Sequence, residues 1–303
     1  MKYLLCMLIL TSLKVWSQPV QILDLEKVTV LKDMSYYHPK FDQTGSRLLL
    51  TSENYKGLDL LDLESGKIYR ISESEGAGYS PVFTRDNHVV YTDHEFIQNR
   101  RFTRLHSWDP LSGETSLLEP ASRNLSHPMV WENSLLLKVN GQLKSVSPDS
   151  GSEISSDGLF TGIEDRQLVL YHGETRLVIQ PYEDESYIWP SVSPDRKHIL
   201  AYAMGKGTFI CDLTGMLLSE PGRIEAPVWV GNDYITGMLT RDDGHQILES
   251  RLVLANPLTG EQVVISPKGL IAMHPAVSLK AGRIAFHTPQ GEIYLIRFRI
   301  NPE

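Results

Sequence analysis

Three histidines stand immediately before a proline, at His38, His127 and His274. A neutral imidazole carries a lone pair on one ring nitrogen, which makes histidine the commonest nitrogen ligand for divalent ions such as Zn or Mn. Ser80, Trp189 and Ala226 occupy the same pre-proline position elsewhere in the chain, and Tyr37, Tyr79 and Tyr187 lie close by. Aromatic faces beside a pocket suit sugars or peptides. The column therefore outlines a candidate ligand-binding mouth at His38, Tyr37, Tyr79, His127, Trp189 and His274, with metal binding left open. The alternative is structural, each imidazole bonding a neighbouring backbone.

A second group falls on two long connections, Thr92 to Arg104 and Met238 to Arg251, which are expected as loops on the same face. Their candidates are His94, Arg100, Arg101 and Arg241. Loop length costs little stability, so such insertions are tolerated and often carry binding. Arg100 and Arg101 offer two planar guanidinium groups, a clamp for a carboxylate or an acidic sugar.

Other chemistry is missing from the sequence. There is no Gly-x-Ser-x-Gly elbow, no His-Glu-x-x-His, no Cys-x-x-Cys, no P-loop and no complete EF-hand loop. No catalytic residue and no cofactor are assigned on this basis. The acidic run Tyr182-Glu183-Asp184-Glu185 reads as a solvated loop. The net charge of −8 argues against a nucleic-acid partner, which needs a basic face.

The elements that must position these residues repeat along the chain. Pro39, Pro81, Pro128, Pro190, Pro227 and Pro275 each precede, by about nine residues, an apolar triplet such as Leu48-Leu49-Leu50 or Ile199-Leu200-Ala201. After the triplet comes a strand ending in Asp or Asn and then a Ser/Thr-Gly turn, as in Asp62-Leu63-Glu64-Ser65-Gly66. The Asp or Asn side chain folds onto the following backbone, and the glycine supplies the positive φ of a hairpin. Each repeat is thus a four-stranded meander. Between Pro128 and Pro190, Ile163 to Leu170 tracks Val130 to Leu137, which predicts a repeat without its proline. The reading is an all-β, single β-propeller of about seven blades, with six as the alternative. A spare strand at Lys27 to Leu31 is expected to close the ring against the last blade, which ends after Ile293 to Ile300.

Ser191-Val192-Ser193-Pro194-Asp195-Arg196-Lys197-His198-Ile199-Leu200-Ala201 resembles the signature of the TolB-like propeller repeats, also called PD40 or WD40-like repeats. Asp42 to Leu48 and Ser278 to Phe286 are looser copies. The resemblance spans residues 36 to 298 and implies a propeller without TolB's additional α/β domain. Prolyl oligopeptidases resemble this propeller fused to a hydrolase domain, for which no residues remain. Oligogalacturonate lyases are similar seven-bladed propellers that use histidine-bound manganese, and their paired His-x-His ligands have no counterpart here.

Lys2 followed by the apolar run Leu4 to Leu13 reads as a signal peptide over residues 1–17, cleaved before Gln18, leaving a propeller domain over 18–303. The run is too short to span a bilayer. Cleavage removes Lys2, Lys14 and Cys6, so Cys211 is left alone as a small buried apolar group without a disulfide partner. The expectation is a periplasmic or secreted propeller with no membrane span in the mature chain. Its expected role is a binding or protein-interaction module for an envelope protein, peptide or glycan. The alternative is a metal-dependent carbohydrate-active enzyme of the polysaccharide-lyase kind.

Overall fold

The computed structural model describes residues 20–28, 34–131, 134–146, 158–173 and 175–300. The expected signal peptide over residues 1–17 lies outside them. The described chain folds into seven antiparallel sheets arranged as a seven-bladed β-propeller.

Blade 1 comprises strands Tyr37–Phe41, Arg47–Thr51, Leu58–Asp62 and Ile68–Ser72, in that order from the channel outward. Blades 2, 5 and 6 repeat the plan from Val82–Phe83, Tyr187–Val192 and Glu225–Val230. Blade 3 (from Met129–Trp131) and blade 4 (from Leu159–Glu164) have three strands each among the described residues. Blade 4 is the repeat without a proline. Its first two strands turn through Asp165 and Arg166, both at positive φ, as a two-residue hairpin requires.

The apolar triplets form the second strand of each blade, which is covered on both faces by the neighbouring blades. Leu48, Leu49 and Leu50 are all 0% exposed, which explains an unbroken apolar run instead of an alternating one. The core is accordingly a set of inter-blade clusters. Leu49 and Leu60 of blade 1 pack with Phe83 and Val89 of blade 2, and Leu50 and Leu61 pack with Ala285 and Leu295 of blade 7. The Asp turns work as expected: Asp62, Asp109 and Asp212 each accept the backbone N–H two or three residues on.

Blade 7 combines Met273–Ser278, Arg283–His287 and Ile293–Ile300 with the N-terminal strand Val20–Lys27 outside them. The ring therefore closes as anticipated by an N-terminal strand, Val20–Lys27, and residues 29–31 of the expected Lys27 to Leu31 lie outside the described residues. Val20 faces Ile300 and Lys27 faces Tyr294. Most of this strand is exposed, so its acidic and basic residues fit.

The two long connections are not loops. Val89–Ile97 and Arg100–Trp108 form one long hairpin of blade 2, and Tyr234–Asp242 and Ile247–Ala255 form another in blade 6. Thr, Val, Ile and Phe in these stretches keep the backbone extended, and the polar tips misled the sequence reading.

Candidate functional site

The pre-proline column has a backbone reason to face the channel. His38, Ser80, Trp189, Ala226 and His274 all take a left-handed conformation, with φ between 45° and 52°. In blades 1, 5, 6 and 7 the first strand carries one extra residue here. Tyr37 faces Thr51 and Lys40 faces Leu49, so three steps on one strand oppose two on the other. Blade 7 repeats this with Met273 facing His287 and Ala276 facing Ala285. Such a bulge leaves the residue before the proline unpaired and re-aims its side chain.

Blades 1 and 7 are neighbours, and their bulges bring His38 and His274 together with ring centroids 4.6 Å apart. His287, from the second strand of blade 7, completes the cluster. It stacks on His274 at 5.4 Å and meets His38 at 5.0 Å. One ring nitrogen from each of the three lies within 4.8 Å of the other two. His127 does not join them. It belongs to blade 3, has no positive φ, and packs against Tyr79 with centroids 4.4 Å apart. The three-histidine set expected from the column is therefore corrected: two members hold, and His287 replaces His127. Its signal in the sequence is a histidine directly after the triplet Ile284-Ala285-Phe286, where the equivalent positions of blades 1 and 5 hold Thr51 and Tyr202.

The electrostatics favour a cation ligand set. Burial first, and then the neighbouring His274 and His287, hold the His38 imidazole down to about 3. Burial likewise lowers His274, and lowers His287 to about 4. All three are neutral near pH 7, each with a free lone pair. His287 Nδ1 donates to the Thr288 carbonyl at 3.0 Å, which fixes the tautomer and leaves Nε2 as the acceptor. That Nε2 is buried and has no partner in the protein. A ligating histidine held through its other nitrogen by a carbonyl has this arrangement. The residues present thus fit a divalent ion bound by nitrogen.

Around the cluster the mouth is aromatic. Tyr37 lies edge-on to His287 at 5.2 Å, and Tyr55 stacks on His38 at 4.7 Å. Tyr55 was not foreseen. It sits in a short 3₁₀ turn, Glu53–Tyr55, with both Asn54 and Tyr55 at φ 58°. Strain of this kind in non-glycine residues persists where the surroundings impose it. Here the Tyr55 carbonyl accepts from Gly78 N–H at 3.1 Å. A Cβ at Gly78 would meet Thr51 Oγ1 at 1.8 Å, so only glycine lets these two loops close on each other. Trp189 lines the far side of the same cavity, of about 580 Å³, against Tyr202. Lys40 stands in the cavity and donates to the Pro81 carbonyl at 2.8 Å. Enclosure by the ring lowers its ammonium to about 8, although channel water reaches the side chain.

Of the hairpin candidates, His94 and Arg101 line a second cavity of about 700 Å³ together with Tyr79 and His127. Arg100 lies beside the exposed hairpin tip and does not line this cavity. Arg241 is mostly exposed and faces Glu249 at 3.7 Å in blade 6. The expected Arg100–Arg101 clamp is thereby corrected: adjacent strand residues point to opposite sides, and only Arg101 faces the groove.

No family model matches the sequence, and no curated protein matches it. Solved structures do share the fold. An oligogalacturonate lyase from Vibrio parahaemolyticus is similar over 92% of this chain and 97% of its own, with a TM-score of 0.54 and 13% identity. An oligogalacturonate lyase in complex with manganese is similar over 88% of this chain and 78% of its own, with a TM-score of 0.50 and 14% identity. These likenesses run against the expectation of a binding or protein-interaction module. Both of these propellers are oligogalacturonate lyases, and one of them is in complex with manganese.

Proposed function

We propose that this protein is a metal-dependent carbohydrate-active enzyme of the polysaccharide-lyase kind. The observation that carries the reading is the cluster of His38, His274 and His287, together with the buried Nε2 of His287 that has no partner in the protein. The likeness to a manganese-bound lyase supports it. So does the aromatic mouth, where Tyr55, Tyr79 and Trp189 line the cavity and offer rings to a sugar.

In such a reaction a base removes the proton α to a uronate carboxylate. The β carbon expels the glycosidic oxygen, which takes up a proton, and a carbon–carbon double bond remains. A bound divalent ion supplies charge neutralisation at the carboxylate. His38, His274 and His287 would hold it, leaving further positions for the ligand's oxygens. The bulges fix His38 and His274, and the Thr288 carbonyl fixes His287, so the site is set before the ligand arrives. The signal-peptide reading goes with this proposal and places the enzyme in the periplasm or outside the cell. The TolB-like resemblance is kept for the repeats themselves.

Elemental analysis of the purified protein, followed by re-addition of Mn or Zn after chelation, tests the metal. One equivalent per chain is expected, lost in His287→Ala. Incubation with a galacturonic acid trimer should then raise the ultraviolet absorbance of a conjugated double bond only when metal is present. A protein that binds neither ion, or one that yields no unsaturated product, refutes the reading.

A further inference from the structure

The second cavity is not an isolated dent. Tyr55 and Tyr79 line both it and the cavity that holds His38 and His274, so the two form one groove. A continuous run of rings follows that groove. His38 stacks on Tyr55 at 4.7 Å, Tyr55 meets Tyr79 edge-on at 4.9 Å, and Tyr79 meets His127 edge-on at 4.4 Å. A buried imidazole nitrogen without a partner marks each end: His287 Nε2 beside His38 at one, His127 Nδ1 at the other. Buried polar atoms are nearly always paired, so both orphans point to a partner that the protein alone does not supply.

The far end also has the means to hold an anion. The Arg101 side chain makes no hydrogen bond or ion pair among the described residues, although Asp93, Glu95 and Arg104 beside it on the same hairpin are linked to one another. It lines the cavity with His94, which faces Thr103 across the hairpin. His94 and His127 are both held below the usual imidazole range, by burial first and then by neighbouring charge that includes Arg101. The full charges on its lining are therefore Arg101 and Lys56, positive, and Glu53 and Glu75, negative. A guanidinium free of internal carboxylates is matched to an external one.

We infer that the cavity lined by Tyr79, Arg101 and His127 is a distal subsite of the proposed active site, holding an acidic sugar ring of the same chain by its carboxylate on Arg101. The inference rests on the proposed function for the identity of the chain as a sugar. Three successive ring contacts separate the two ends, so a monosaccharide cannot reach both, and the protein should prefer chains of three units or more.

Calorimetric titration of chelated, metal-free protein separates the subsite from the metal. The probes are galacturonic acid dimer and tetramer, with a neutral galactose tetramer of equal length. Wild type is expected to bind the acidic tetramer at least tenfold more tightly than the dimer. Arg101→Met is expected to lose most of that preference, and Arg100→Met, at the hairpin tip outside the cavity, to keep it. His127→Phe preserves the ring contact with Tyr79 while removing the polar atoms, and it should weaken tetramer binding severalfold. Equal binding of dimer and tetramer, or a preference unmoved by Arg101→Met, overturns the subsite. A neutral tetramer that gains as much as the acidic one overturns the role of Arg101. A protein that takes no metal yet prefers the acidic tetramer refutes the lyase reading and leaves the subsite standing; an active metal enzyme indifferent to chain length does the reverse.

Discussion

The three clustered imidazoles carry a cost in acid. Their free value is 6.5, and burial holds His38 at about 3 and His287 at about 4 in the folded chain. As pH falls through 6.5 the unfolded chain takes up protons that the folded chain refuses, so stability is complete above 6.5 and declines toward pH 4. The paired carboxylate Asp93, held at about 2, adds its own loss only below the ordinary carboxylate range. The urea midpoint should therefore fall between pH 7 and pH 4.5, and His38→Gln should flatten that slope. A midpoint indifferent to pH across this window contradicts the buried, neutral cluster. Gly76 gives a second residue-level test. It lies at φ +78°, and a Cβ there would meet the His94 ring at 2.5 Å. Gly76→Ala is expected to destabilise by about 1–2 kcal/mol from the left-handed backbone alone, read by the same denaturation. It should also weaken tetramer binding by displacing His94.

At the scale of elements, the decisive device is the bulge before the proline. A pre-proline residue ordinarily prefers extended backbone, so five left-handed residues in one column are not what local preference gives. The column of prolines was legible, because proline tolerates the start of a strand. The bulge was not, because the extra residue shows only against the partner strand. For the same reason His287 was missed: it faces the bulge of its own blade through pairing, twelve residues after Pro275 in the chain. The closing strand Val20–Lys27 makes a separate prediction. It covers the edge of Ile293–Ile300, and removing residues 20–27 should expose that edge, lower the melting temperature sharply and promote association in size-exclusion chromatography. Asp24→Ala, which breaks only the exposed contact with Arg297, should barely move the melting temperature.

For the molecule as a whole, stability resides in the contacts between blades. Leu49→Ala removes a fully buried side chain from the seam between blades 1 and 2 and should cost about 2–5 kcal/mol. Cys211 reports on the opposite seam, where it is buried among residues of blades 4 and 5, and burial raises its thiol to about 12. It should resist a maleimide reagent in the native protein and react once urea unfolds the chain. Rapid native labelling would contradict a closed, packed ring. The ring also decides function, because a site shared by blades 1 and 7 exists only if the first and last repeats meet.

Taken alone, the sequence determined the class of fold. Strand rhythm, Asp turns and apolar triplets are local patterns, each enforced by backbone geometry within some forty residues; they pointed to about seven blades with six as the alternative, and the structure decided for seven, blade 4 without its proline included. It also named His38, His274, Tyr79, Arg101 and His127 as chemically capable residues. Which of them meet was decided by the tertiary structure. Equivalent positions in a ring are alike in sequence but not in neighbours: closure sets blade 7 beside blade 1 and leaves His127 in blade 3 at the other end of a groove. Strand pairing then added His287, whose tautomer is set by a carbonyl and whose other nitrogen is buried without a partner in the protein. Those relations depend on long-range closure and on alternation across a hairpin, and neither is written in the spacing of residues along the chain.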